Sequence, residues 1–220
     1  MPAQYDPKMI TPGRRLLYRA TADYFFAPLY FMKHRMQVTG RENLPEGPCV
    51  IVGNHLSNAD PPLLAVASKK PVSFIAKEEL YHVPGAGGAF LRSLILTYGA
   101  ISIDRDKPEV STFKAVKEVF KNGWSLGMFI EGTRNKTPGV LGQPHEGPAY
   151  FARILKAPIV PMGIIGTNQK WGQGYVRIGK PLQPAHDLED TTWRIMESLS
   201  ELTGYALPPR TVHTSKTIVT

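Results

Sequence analysis

Cysteine is almost absent from this chain: Cys49 is the only one. A disulfide framework is therefore excluded, and a reducing, cytoplasmic setting fits best, with Cys49 as inert core inside a strand-like run. Long hydrophobic runs are missing too. The longest apolar-aromatic stretch, residues 24–32, falls far short of the roughly 20 residues that span a bilayer as a helix. Arg14, Arg15 and Arg19 precede a segment that contains Asp23, which is not the order of a signal peptide. No glycine-rich phosphate loop, zinc-finger spacing, RNA-binding signature or basic block of five or six residues is present, so nucleic acid is not the expected partner. The G-x-S-x-G elbow of serine hydrolases is also missing. Acidic residues are the scarcer charge, 18 against 26 basic ones, for a net charge of +8. Such a balance points to an anionic partner: a lipid surface or a phosphorylated substrate.

What is present suffices for one core. The 220 residues are 42% hydrophobic and 20% charged, a globular composition. Three segments are expected: an amphipathic helical arm over residues 1–35, a main domain over 36–207, and a loose tail over 208–220. The arm places Leu17, Ala20, Tyr24 and Phe31 at helical spacing, with Phe25, Phe26 and Tyr30 beside them. Basic residues flank it, Arg14, Arg15 and Arg19 in front and Lys33, His34 and Arg35 behind. Two readings fit: a helix packed on the core, or one lying in the headgroup layer of a membrane. Pro28 is expected to kink or divide it.

Beyond the arm, short apolar runs alternate with helical patterns. Strands are expected at residues 36–39, 49–52, 72–76, 100–103, 126–130, 158–165 and 175–178. Helices are expected from Asp60, at 90–98, 111–121 and 147–155, and along a last stripe of Trp193, Met196, Leu199 and Leu202. Alternation of this kind predicts an α/β fold, a mostly parallel central sheet flanked by helices. Several strand ends carry polar residues: Asn54-His55, Lys77-Glu78, Asp104-Arg105 and Glu131-Gly132-Thr133-Arg134. A parallel sheet brings such ends to one edge, where ligands bind.

His55 and Asp60 form the most chemically suggestive pair. An imidazole oriented by a carboxylate is a common general base. Five residues of continuous helix would put the two on different faces, so contact requires a turn, for which Gly53, Asn54, Ser57 and Asn58 are suited. Asp60 before Pro61 also reads as a helix N-cap, and His55 as an ordinary loop histidine. One histidine and one aspartate are too few for a metal site, and none is expected.

The sequence Asn54-His55-x4-Asp60 resembles the first motif of the glycerolipid acyltransferases, the 1-acylglycerol-3-phosphate acyltransferases and their relatives. Lys77-Glu78-Glu79-Leu80, Pro84, Gly87, Gly99, Ile103 and Arg105 resemble the second block. Phe129, Glu131, Gly132, Thr133 and Arg134 resemble the third, and residues 157–161 the fourth. The resemblance implies transfer of a fatty acyl chain from an acyl-thioester of acyl carrier protein or coenzyme A to a lysophospholipid hydroxyl, giving phosphatidic acid. It implies no further cofactor and a peripheral position on the cytoplasmic face of a membrane. His55 would accept the hydroxyl proton and Asp60 would orient it. Arg134, Arg105 and Lys77 would hold the acceptor phosphate. Glu131 would either bind glycerol hydroxyls or hold Arg134, and Gly132 would admit the ligand close to the backbone. Thr133 belongs to the same substrate-binding motif. Two departures bear on the acceptor. Ile130 stands where the family usually has proline, and Pro144-His145-Glu146-Gly147 replaces a Phe-Lys-x-Gly segment.

Overall fold

The structure, a computed structural model, describes residues 11–77, 84, 85, 87–89, 100–103 and 110–210. A seven-stranded sheet forms its centre: β1 (Gln37–Thr39), β2 (Val50–Gly53), β3 (Val72–Lys77), β4 (Ile101–Ile103), β5 (Ser125–Phe129), β6 (Ile159–Ile165) and β7 (Tyr175–Ile178). The strand order is β1-β7-β6-β2-β5-β3-β4. From β6 to β4 all neighbours are parallel, while β7 returns antiparallel to β6 and β1 pairs parallel to β7. The reversal follows from the β6–β7 connection, which is short enough for a hairpin and too short for a crossover helix. All of β2 is buried, Val50 to Gly53, as a strand covered on both faces must be.

The helices are α1 (Pro12–Ala20), α2 (Ala27–His34), α3 (Asp60–Ser68), α4 (Val110–Lys121), α5 (Gly147–Leu155) and α6 (Leu188–Thr203). Gly204 ends α6 in the left-handed region at φ 75°, a conformation that favours glycine. The helix expected at 90–98 lies outside the described residues. Of the tail expected to be loose, residues 208–210 are held. The Arg210 guanidinium lies 4.6 Å from the Trp193 ring centroid and 3.3 Å from Glu197 Oε1, and the Pro209 carbonyl accepts from Gln143 Nε2 at 3.0 Å.

The arm differs in detail from a simple kinked helix. Between α1 and α2 the chain makes a π-helical segment, Thr21–Phe26, and the Ala27 N–H donates to the Ala22 carbonyl. Pro28 explains this: it has no N–H and its ring would crowd the carbonyl of Tyr24, which a wider turn relieves. The wider turn also keeps a period of four on one face. Tyr18, Ala22, Phe26, Tyr30 and His34 are all buried, and the first four belong to the main core. The arm is therefore packed on the domain. It reaches from the start of β3 to the start of β7. At its start the Tyr18 hydroxyl accepts from the Val72 N–H at 3.0 Å, and its ring packs edge-on to Trp124 with centroids 5.2 Å apart. At its end the Tyr30 hydroxyl donates to the Ala59 carbonyl, and the His34 carbonyl accepts from the Gly174 N–H at 2.7 Å. Among the described residues no helix is long and apolar enough to cross a membrane.

Candidate active site

The carboxyl ends of β2, β5 and β6 meet at one edge, and each delivers part of the site. From β2 the chain passes to Asn54, whose amide clamps the next strand. Its Nδ2 donates to the Ile164 carbonyl at 2.9 Å, and its Oδ1 accepts from the Ile164 N–H at 2.7 Å. Asn54 is fully buried, and this two-sided bond fixes where His55 emerges. His55 is then held by its backbone at both ends. Its N–H donates to Glu131 Oε2 at 2.9 Å, and its carbonyl accepts from the Asn135 N–H at 2.7 Å.

The His55 ring is held separately. Its Nδ1 lies 2.9 Å from Asp60 Oδ2. Its face stacks on Phe129, centroids 4.0 Å apart at 15°, and Phe129 in turn stacks near Phe74. Gly127 makes room for this stack, because a Cβ there would run into the Phe74 ring. With a carboxylate facing Nδ1, that nitrogen carries the proton and Nε2 presents a lone pair. The imidazole side chain is 16% exposed, so Nε2 can meet a substrate from solvent.

Asp60 is fully buried and ionised chemistry there requires donors on both oxygens. Oδ2 accepts from the N–H groups of Leu56 and Ser57, each at 2.7 Å, as well as facing His55. Oδ1 accepts from the Thr167 hydroxyl at 2.7 Å. The contact between His55 and Asp60 thus comes from the turn, as its residues suggested. The expected N-cap is corrected: Ala59 precedes the first helical residue, which is Asp60, and no cap bond is made by the side chain. An aspartate cap needs an N–H two or three residues on. Pro62 has none, and the Leu63 N–H donates to the Ala59 carbonyl. The carboxylate turns back to the loop instead.

The third motif divides into buried and open residues. Glu131 is buried, with Oε1 accepting from the Gly142 N–H at 2.7 Å and from Asn135 Nδ2 at 3.3 Å, while Oε2 takes the His55 N–H. Both oxygens therefore brace the loops around His55, and Arg134 is not among its partners. Gly132 adopts φ 62° in the turn after β5, which accounts for glycine there without a ligand. Thr133 and Arg134 are exposed, and among the described residues no carboxylate pairs with Arg134. Ile130 is fully buried, and its N–H donates to the Gly53 carbonyl at 3.1 Å, a bond that proline could not make. The backbone of Lys77 ends β3 on the same edge. Arg105 lies outside the described residues. The His145 N–H donates to the Ile130 carbonyl at 2.8 Å, placing the substituted Pro144–Gly147 segment beside the third motif.

Sequence reasoning did not single out Thr167 or Asn135, and it named Asn54 in the first motif without its amide clamp. Thr167 follows Gly166 just past β6, so the argument from strand ends applies to it as well, although it belongs to no quoted motif.

A model of the family described as Acyltransferase matches residues 35–165, well over half of the chain. The chain belongs to the acyltransferase family. Among its relatives, a chloroplastic 1-acyl-sn-glycerol-3-phosphate acyltransferase of Brassica napus is 31% identical over 161 residues, covering 69% of this chain and 45% of that protein. The 1-acyl-sn-glycerol-3-phosphate acyltransferase of Bacillus subtilis is 30% identical over 157 residues, 68% of this chain and 75% of that one. That of Pseudomonas aeruginosa is 33% identical over 140 residues, 62% and 51% respectively. This acyltransferase chain thus spans about half the length of several relatives it matches. The crystal structure of the 1-acyl-sn-glycerophosphate acyltransferase PlsC from Thermotoga maritima superposes with a TM-score of 0.66 at 22% identity, covering 91% of this chain and 83% of that one. The acyltransferase fold, a mostly parallel sheet flanked by helices, is therefore shared along nearly the whole chain.

Proposed function

We propose that this chain transfers a fatty acyl group from an acyl-thioester to the free hydroxyl of 1-acylglycerol 3-phosphate, giving phosphatidic acid. One observation carries the reading: His55, just past the carboxyl end of β2, is locked by Asp60 through Nδ1 while its ring stays partly exposed. In the reaction, Nε2 removes the proton of the acceptor hydroxyl as its oxygen attacks the thioester carbonyl. The tetrahedral intermediate then collapses, the carbon–sulfur bond breaks, and the imidazolium returns the proton to the departing thiolate. Asp60 stabilises the imidazolium and fixes the tautomer. Arg134, exposed beside the site, supplies a guanidinium for the acceptor phosphate, with Lys77 and Arg105 as further cations. Thr133 and Gly132 shape the turn that presents Arg134, and Glu131 holds the backbone of His55. A non-catalytic binding module would have no use for so closely held an imidazole.

The donor is acyl carrier protein or coenzyme A thioester, and the protein works as a peripheral protein on an anionic membrane surface. The arm supports this location. Leu16, Leu17, Tyr24, Phe25, Leu29, Phe31 and Met32 are all exposed on its outer side, a large apolar strip with basic flanks. The single buried free cysteine fits a reducing, cytoplasmic face. The test is transfer of labelled acyl chains from both donors to lysophosphatidic acid, other lysophospholipids and a glycolipid acceptor. The reading predicts fastest transfer to lysophosphatidic acid; faster transfer to another acceptor would reassign the substrate, with Ile130 and the Pro144–Gly147 segment as the first places to look.

A further inference from the structure

The exposed apolar residues of this protein are not scattered. Among the described residues nine large hydrophobic side chains are exposed, and seven of them, Leu16 through Met32, lie on the arm. Of the other two, Leu207 is only 38% exposed, while Trp171 is 67% exposed. The remaining tryptophans behave as a fold would have them, Trp124 at 2% and Trp193 at 7%. Single exposed hydrophobics are ordinary on a protein surface. Here the rest of the described surface is almost free of them, so the exposure of Trp171 calls for a cause.

Its place suggests one. Trp171 lies in the loop between Ile165, which ends β6, and Tyr175, which starts β7. The root of that loop is fixed to the catalytic site, where Thr167 binds Asp60. Its far end is fixed to the C-terminal end of the arm. Gln173 Nε2 donates to the Arg35 carbonyl at 2.7 Å, the Gly174 N–H to the His34 carbonyl at 2.7 Å, and the Gln37 N–H to the Gly174 carbonyl at 3.0 Å. The loop therefore bridges the arm's last turn, with exposed Phe31 and Met32, and the carboxyl edge of the sheet that carries His55. Lys170 is exposed next to Trp171, and Arg35 is exposed at the arm's end. An aromatic ring with an adjacent ammonium, on a loop tied at both ends, matches the chemistry of the anionic headgroup layer, where tryptophan is enriched.

We propose that the β6–β7 loop is a second membrane contact, with Trp171 seated at headgroup depth of an anionic bilayer and Lys170 on lipid phosphate. Together with the arm it fixes two points of contact, and the catalytic edge between them faces the surface from which a lysophospholipid enters. This inference rests on the membrane reading of the arm given above and adds a separate element to it.

Vesicles of phosphatidylglycerol and phosphatidylcholine with brominated acyl chains test the contact, because bromine quenches indole fluorescence only at close range. The wild-type protein should sediment with the vesicles and lose tryptophan emission on binding. Trp171→Ala should keep its fold by circular dichroism, show no quenching, and partition about tenfold more weakly. Lys170→Ala should weaken partitioning about fivefold on the anionic vesicles. Wild-type protein that sediments without quenching, with Trp171→Ala binding equally well, would overturn the loop contact and leave the arm's role standing. Wild-type protein that does not sediment at all would overturn both. A shift of Trp171 emission on adding acyl carrier protein without vesicles would assign the loop to the donor and overturn the lipid contact.

Discussion

Asp60 is the residue on which the site depends, because a buried carboxylate is tolerated only when donors surround it. The loop N–H groups of Leu56 and Ser57 satisfy one oxygen alongside His55, and the Thr167 hydroxyl satisfies the other. Removing that hydroxyl would leave Oδ1 desolvated and unpaired. Thr167→Val is expected to lower stability by about 1–3 kcal/mol and to reduce turnover. Thr167→Ser should keep most of both, read by thermal melts and acyl transfer; a Thr167→Val protein with undiminished stability and turnover would refute this role of the hydroxyl. At this scale the sequence announced the dyad but not its surroundings. Taken alone, His55 and Asp60 fitted a loop histidine and a helix cap as well as a dyad; the resemblance of the four motifs to the glycerolipid acyltransferases made the dyad the expectation. The expected N-cap fails because Pro62 lacks one of the two N–H groups a cap could use and the Leu63 N–H donates to the Ala59 carbonyl. Thr167 and Asn54 act through contacts with residues far along the chain, Asp60 and Ile164, and no local pattern shows such pairs.

At the scale of elements, the arm shows what periodicity can and cannot reveal. A strict helical spacing picks out Leu17, Tyr24 and Phe31, and all three turn out to be exposed. The buried stripe runs instead through Tyr18, Ala22, Phe26, Tyr30 and His34, a period of four that the π-helical segment sustains. Pro28 signalled a disturbance of the helix but not its form. By contrast, the strands were legible almost residue for residue, because continuous apolar runs bounded by turn residues leave few alternatives. His34 closes the buried stripe at 1% exposure, and among the described residues neither ring nitrogen has a hydrogen-bond partner. Burial holds its pKa below the ordinary value, the charge of Lys33 adds to this, and Asp60 opposes it. The folded chain thus takes up this proton less readily than the unfolded chain. Its contribution is neutral above pH of about 6.5, and stability is lost as pH falls from there through the lowered value. Thermal melts from neutral to mildly acid pH should show the wild type losing stability faster than His34→Gln; parallel curves would refute this account of the arm's inner face.

Over the whole molecule, charge and apolar exposure act together. On the proposed membrane reading, a net charge of +8 would attract an anionic surface from a distance set by screening, and the apolar strip of the arm would supply contact once there. Partitioning onto anionic vesicles is therefore expected to weaken as salt rises and to level off at a residual, apolar part, by co-sedimentation. Binding that does not change with salt would contradict the electrostatic share. The α/β architecture was legible from the alternation of elements, and the convergence of strand ends at one edge followed from it for Asn54-His55 and for the third motif. The reversal of β7 and β1 was not, because single strands of three or four residues carry no mark of direction. The catalytic assignment stands above all on His55. Acyl transfer to lysophosphatidic acid by purified His55→Ala, compared with wild type under saturating donor, tests it most directly. The expected result is a loss of about 10² to 10⁴-fold in kcat with unchanged circular dichroism. Transfer at the wild-type rate by a folded His55→Ala protein would contradict the mechanism.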